Sequence, residues 1–165
     1  MKQIDEHEPY QKLFFQSVIN IQENKYKEAE KFIDKCRELL DPKMKSLIGE
    51  SYRRAYPYIL ELQYLKELEE IIEYKKVDDE DKKKHLKNLW SYRLEFMAQD
   101  VESLQKTLNL RSLVIDISED TSHYVRLADL CEKKGNSAMC KRILTNLKME
   151  INNNIAAYPK EQLFN

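Results

Sequence analysis

Three histidines and three cysteines are the side chains here best suited to metal binding or nucleophilic chemistry, and their spacing argues against both. His7, His85 and His123 lie far apart, and none shares a helical turn with a cysteine as a zinc-ligand pair would. They read as surface or cap residues. Cys36, Cys131 and Cys140 fall at apolar helical positions, which reads as buried free thiols in a reducing compartment. No Ser/His/Asp or Cys/His grouping is visible along the chain. The carboxylates Glu69-Glu70 and Asp78 to Asp81 read as solvated helix and loop charge rather than acid–base machinery. Tyr52 and Tyr56 share a face at i, i+4 and read as packing, whereas Tyr58 is placed to line a groove. Trp90 is of the type that anchors partners, but packing between hairpins is its expected role. These residues predict no catalytic, cofactor-binding or metal-binding set.

The elements that must position these residues are helical. Two glycines and four prolines in 165 residues leave few of the turns that sheets or phosphate-binding loops need. Leu, Lys and Glu dominate, and their straight chains lose little rotamer freedom in a helix. The expected class is all-α. The 28 basic and 29 acidic residues are interspersed, and the run Lys82-Lys83-Lys84 sits among Asp78, Asp79, Glu80 and Asp81. A nucleic-acid footprint needs a basic stripe, so nucleic acid is not an expected partner. No apolar run reaches membrane-spanning length, and the polar start MKQIDEHEPYQK has no apolar signal core. A cytoplasmic location is expected.

The apolar pattern predicts four hairpins. The first runs from Pro9 to Leu40, with Leu13, Phe14, Val18 and Ile21 facing Tyr26, Ala29, Phe32, Ile33 and Cys36, and Asn24 in the turn. Asp41-Pro42 then looks like a helix start, a cap side chain before a first-turn proline. The second hairpin is expected as Pro42 to Gln63, interrupted by Gly49 and kinked at Pro57, followed by Leu65 to Lys76. A charged linker, Lys75 to His85, leads to a third hairpin with Leu86, Leu89, Trp90, Arg93 and Phe96 or Met97 on one helix. After a turn near Gln99-Asp100, Val101, Leu104 and Leu108, with Arg111, mark the other. The β-branched run Leu113 to Ile117 either closes that helix or extends away from it, and Ser118 or Asp120 caps the next. The fourth hairpin places Tyr124, Leu127, Ala128 and Cys131 against Cys140, Ile143, Leu144 and Leu147 across a turn at Gly135-Asn136. Gly135 is expected to end the first of these helices in a left-handed conformation.

Equivalent positions recur. Ala29, Leu68, Leu104 and Cys140 are separated by 39, 36 and 36 residues, and Ile33, Ile72, Leu108 and Leu144 stand four residues beyond them. This period lies between tetratricopeptide and HEAT lengths and predicts an α-solenoid of about four tetratricopeptide/HEAT-like hairpins. The repeat-packing residues are Ala29, Ile33, Tyr52, Tyr56, Leu68, Ile72, Trp90, Leu104, Leu108, Leu127, Cys140 and Leu144, with Gly135 and Asn136 as the structural turn. The expected organisation is a polar tail at 1–8, the helical-repeat segment at 9–150, and a tail at 151–165 that opens a further repeat or trails off through Pro159.

The words GESYRRAY (49–56) and LEEIIEYK (68–75) resemble the FAT region of the TOR-type phosphatidylinositol-3-kinase-related kinases. Leu89-Trp90 with Arg93-Leu94, Gln105-Lys106, Arg111-Ser112-Leu113-Val114, Glu119-Asp120, and Leu130-Cys131 with Lys134-Gly135 continue the resemblance in order from about Phe14 to Leu147. It implies a stack of helical hairpins that clamps a kinase domain, with that domain, neighbouring FAT repeats and TOR-complex proteins as partners. The chain has no HRD, DFG or glycine-rich nucleotide motif, so phosphoryl transfer is not expected of these residues. The rival reading is a free-standing tetratricopeptide-like adaptor that holds a peptide in its groove.

Overall fold

The computed structural model describes residues 7–96 and 100–157. Residues 1–6 of the expected N-terminal tail, Met97, Gln99, and the final residues including Pro159 lie outside the described residues. Within them the chain is all-α and of the helical-repeat class, with seven helices and no strand. They are α1 (His7–Gln22), α2 (Tyr26–Ile48), α3 (Tyr52–Lys76), α4 (Glu80–Phe96), α5 (Val101–Arg111), α6 (Thr121–Lys133) and α7 (Ser137–Ala157). The chain divides into two compact units, Met1–Asn88 and Leu89–Asn165.

In the first unit α1 packs on α2 and α2 on α3. Ala29, Ile33, Cys36 and Leu40 form the buried stripe of α2, at the i, i+4, i+7, i+11 spacing of one helix face. Tyr64, Leu65, Leu68, Ile71 and Ile72 form that of α3. Arg37 Nη1 lies 2.5 Å from Glu69 Oε1, and Lys76 Nζ lies 2.7 Å from Glu30 Oε1. The early part of α2 thus meets the late part of α3, which makes the two antiparallel.

One junction differs from expectation. The chain does not turn at Asp41-Pro42 or at Gln63-Tyr64; it turns at Gly49-Glu50-Ser51. Pro42 and Pro57 both lie inside helices. Each is exposed, and so are Glu38 and Arg53, the residues four positions back whose carbonyls lose a donor. Those carbonyls sit on the wet side of the helix, which removes much of the cost of an interior proline. Asp41 pairs with Lys45 at 3.3 Å instead of capping a helix. Ser51 supplies the extended residue that ends one helix and begins the next, with φ −162° and ψ 120°. The expected pair 42–63 and 65–76 is therefore replaced by an extended α2 and a single α3.

The charged segment 75–85 is also mostly helical. α3 continues to Lys76, and α4 begins at Glu80 with the Asp79 carboxylate accepting from the backbone N–H groups of Asp81 (3.0 Å) and Lys82 (3.4 Å). Glu80 and Asp81 in the first turn suit the positive end of the helix dipole. Only 77–79 form a link.

In the second unit Leu94, Leu104, Leu108, Leu127, Leu130 and Cys131 make one core, with Val101, Tyr124, Met139, Cys140 and Ile143 packed against it. Asp100 caps α5, its carboxylate accepting from the Ser103 backbone N–H (2.9 Å) and hydroxyl (2.8 Å). The β-branched run 113–117 forms turns: Val114 and Ile115 donate backbone bonds to Arg111, and Asp116 Oδ1 accepts from Ser118 N. Asp120 stands at the cap position of α6 but is held by His123 Nδ1 rather than bonding the helix backbone. Residues 151–157 of the expected tail continue α7.

Candidate functional site

Chemistry-bearing side chains are dispersed. No group of three His, Cys, Asp or Glu residues that could hold a metal occurs among the described residues. The three cysteines are free thiols, Cys36 and Cys131 buried and Cys140 half-buried. Burial, reinforced by Glu61, pushes the Cys36 thiol up to about 11, and burial also raises that of Cys131. Such thiols are poor nucleophiles at neutral pH. Tyr10 Oη donates to Glu61 Oε2 at 2.8 Å, and burial followed by the Glu61 charge drives its hydroxyl far above the ordinary tyrosine range.

Glu69 and Glu70 are not solvated helix charge. Glu70 is 4% exposed and Glu67 is 2% exposed, because the face of α3 that carries them is covered. Burial pushes the Glu69 carboxyl up, but the Arg37 hydrogen bond and charge outweigh it and hold the group below its usual value. Arg111 is 2% exposed with its guanidinium 5.9 Å from the Trp90 ring centroid, and Trp90 itself is 1% exposed. Arg126 Nη1 donates to the Leu94 carbonyl at 2.7 Å, satisfying a carbonyl in the last turn of α4. Neither arginine could be assigned this way from sequence, because each partner is remote along the chain.

The equivalent positions of the repeat lie on α2, α3, α5 and α7. Ala29, Ile33, Leu68, Ile72, Leu104 and Leu108 are all buried, as is Leu127 on α6. The last pair differs: Cys140 is half-buried and Leu144 is 43% exposed. Leu144 therefore lies at the exposed edge of the α7 stripe, whose neighbouring member Leu147 is buried at 6% exposure. Ile151, seven residues on and half-buried, lies on the same side. Tyr52 is also corrected. It is 69% exposed, since the turn at 49–51 makes it the first residue of α3 instead of a mid-helix position. Tyr56 is half-buried, its ring 6.1 Å from that of Tyr52, and Tyr58 is half-buried as well.

Two turns share one geometry. After α6, Gly135 takes φ 78°; its N–H bonds Glu132 O and the Asn136 N–H bonds Cys131 O, both at 2.9 Å. After α1, Asn24 takes φ 59°; its N–H bonds Ile21 O at 3.1 Å and the Lys25 N–H bonds Asn20 O at 2.8 Å. Both are Schellman closures, with a left-handed residue just beyond the helix end. They stand 111 residues apart (135 − 24), three repeats of 37. Asn136 then caps α7, its side-chain oxygen accepting from Met139 N at 3.2 Å.

Comparison with known proteins places this arrangement. A family model described as "FAT domain" matches residues 1–163. The serine/threonine-protein kinase TOR2 of Saccharomyces cerevisiae is 36% identical over 140 residues, covering 84% of this chain and 6% of its own length. The kinase tor1 of Schizosaccharomyces pombe is 35% identical over 159 residues, 96% of this chain and 7% of its own. The kinase TOR of Arabidopsis thaliana is 33% identical over 139 residues, 81% of this chain and 6% of its own. The sequence thus spans only a small fraction of the length of these relatives.

Proposed function

The chain belongs to the FAT domain family of TOR-type kinases, and from that premise we propose that it acts as a helical scaffold segment of a TOR-like serine/threonine kinase. The FAT domain is a non-catalytic region of those kinases, and the work proposed for this segment is mechanical. Its helices hold a kinase domain in place and offer faces to neighbouring FAT repeats and to proteins of the TOR complex. A cytoplasmic location accompanies that reading, and no helix among the described residues is long and apolar enough to cross a membrane.

The observation that supports this reading best is the open position on α7. Ala29/Ile33, Leu68/Ile72 and Leu104/Leu108 are covered by helices of this chain, whereas the equivalent Leu144 is 43% exposed. A helical repeat buries its apolar face against the next one, so the exposed Leu144 edge of α7 is where a further helix of the parent packs. Completing the burial of Leu144 is worth about 1 kcal/mol, a fraction of the value for a whole leucine side chain.

The test is Leu144→Asp made twice, in the 165-residue chain and in the full-length kinase. In the chain alone the melting temperature falls only slightly, because the side chain is 43% exposed and at the edge of its stripe. In the full-length protein the substitution lowers thermal stability and kinase activity. Unchanged stability and activity in the full-length kinase would overturn the scaffold reading.

A further inference from the structure

The antiparallel pair of α2 and α3 is buried at its base and open at its tip. Between Asp41 and Gln63 only Ala55 is buried, whereas residues 26–40 and 64–76 hold the packed stripes. The tip is nonetheless apolar. Ile48 is 57% exposed and Tyr52 69% exposed, and Met44, Leu47, Tyr56 and Ile59 are half-buried around them. Tyrosine, methionine and arginine are the types enriched in protein interfaces, and all three occur on this short stretch.

Charge identifies the occupant. Residues 41–58 carry Lys43, Lys45, Arg53 and Arg54 against Asp41 and Glu50, an excess of two positive charges. The next stretch, 59–81, carries three basic residues against nine acidic ones, and the whole chain is −1. The tip is a basic island on a chain that is otherwise slightly acidic. Lys45 pairs with Asp41 at 3.3 Å and Arg54 with Glu50 at 3.0 Å, so both acidic side chains of the tip are already engaged.

We infer that the tip of the α2–α3 pair is a docking surface for an acidic amphipathic helix of a partner protein. Ile48 and Tyr52 receive its apolar stripe, and Arg53 faces its carboxylates, with Arg54 adding its charge from beside its Glu50 partner. A helix laid against an apolar surface with charged rims is a common recognition mode, and charge complementarity sets its orientation and rate. The inference deepens the scaffold reading and rests on it for a biological setting. Its test uses α2 and α3 variants that leave Leu144 untouched, so the two readings fail separately.

The experiment measures fluorescence anisotropy of labelled synthetic peptides with the 165-residue chain. One probe is an 18-residue Leu/Ala/Glu peptide with a single apolar stripe. The second is the same peptide with Lys for every Glu. Vesicles of phosphatidylserine and phosphatidylcholine form the third probe. The acidic peptide is expected to bind at least about tenfold more tightly than its basic counterpart. Ile48→Asp with Tyr52→Asp should abolish that preference, and Arg53→Glu with Arg54→Glu should reverse it. Tyr52→Ala, at an exposed site and with unchanged melting, should weaken binding severalfold and guards against a folding artefact. Equal binding of both peptides, no binding of either, or full affinity in the tip variants would overturn the proposal. So would vesicle binding that the same substitutions remove, since that would make the tip a lipid-facing surface.

Discussion

Replacing Gly135 tests whether the α6–α7 hairpin is closed by a left-handed residue or merely by a short loop. A Cβ built at Gly135 meets no atom within 4 Å, so any penalty is conformational rather than a clash. An L-residue other than Gly, Asn or Asp held near φ 78° loses about 1–2 kcal/mol. Substitution also removes glycine's extra freedom in the unfolded chain, which returns roughly 0.4–1 kcal/mol. Gly135→Ala should therefore cost about 1 kcal/mol net. Gly135→Val, β-branched and worse in this region, should cost more. Gly135→Asn should be nearly neutral, because asparagine tolerates the conformation and Asn24 already adopts it at φ 59°.

The assay is intrinsic fluorescence during thermal unfolding. Trp90 is the sole tryptophan, is 1% exposed, and belongs to the same compact unit as Gly135. A loss of 1 kcal/mol should lower the midpoint of its transition by about 2–4 °C for a chain of this size. The order Gly ≥ Asn > Ala > Val is the signature of a positive-φ requirement. An alanine variant as stable as wild type, or an asparagine variant as damaged as valine, would refute the reasoning, because neither outcome is compatible with a left-handed residue at this position.

Two further outcomes are expected. Hydrogen bonds from Ser103, its backbone N–H first, hold the Asp100 carboxyl below its usual value; its stabilising contribution is complete above the unfolded pKa and is lost as pH falls through the folded one. Below about pH 4 the Trp90 midpoint should therefore fall more steeply in wild type than in Asp100→Asn, and parallel acid limbs would show that this cap is not formed. With Ellman's reagent at pH 8, the half-buried Cys140 should react first, while Cys36 and Cys131, each 0% exposed with raised pKa values, should react only on unfolding; three equal rates would contradict the packing of α2 and α6.

The helical class and most of the packed faces were legible because burial on a helix leaves a periodic trace. Ala29/Ile33, Leu68/Ile72 and Leu104/Leu108 could be read from spacing alone. Sequence alone misplaces the α2–α3 junction, because a proline reads as a helix breaker unless the side of the helix it faces is known. Pro42 and Pro57 sit on the solvent side and are tolerated. A better signal was present: no Gly, Pro, Asn or Asp occurs from Ile59 to Val77, so nothing there favours a turn at Gln63-Tyr64. Gly49-Glu50-Ser51 offered the only glycine in the region and a residue suited to opening a helix. Trp90–Arg111 and Arg126–Leu94 were invisible for a different reason, since pairing between remote positions leaves no periodic trace.

The same periodic reasoning gives Leu144 its meaning. Spacing marks it as a packing residue equivalent to Ile33, Ile72 and Leu108, yet it is 43% exposed where they are covered. Pattern and burial can disagree in two ways. Either the equivalence is accidental, or the cover is supplied by something other than the described helices. An accidental match would carry no constraint on its neighbours. Here Cys140 and Ile143 pack on the core and Leu147 is buried beside them, while Leu144 and the half-buried Ile151 run along the edge of that stripe. Aliphatic residues seven apart along the edge of a packed stripe widen the apolar face beyond what the described helices bury. Tyr52 has no such companion in the repeat, and its exposure belongs to the hairpin tip. Of the exposed apolar residues, Leu144 and the α2–α3 tip therefore carry different proposals: a further helix of the parent against α7, and a separate acidic helix at the tip.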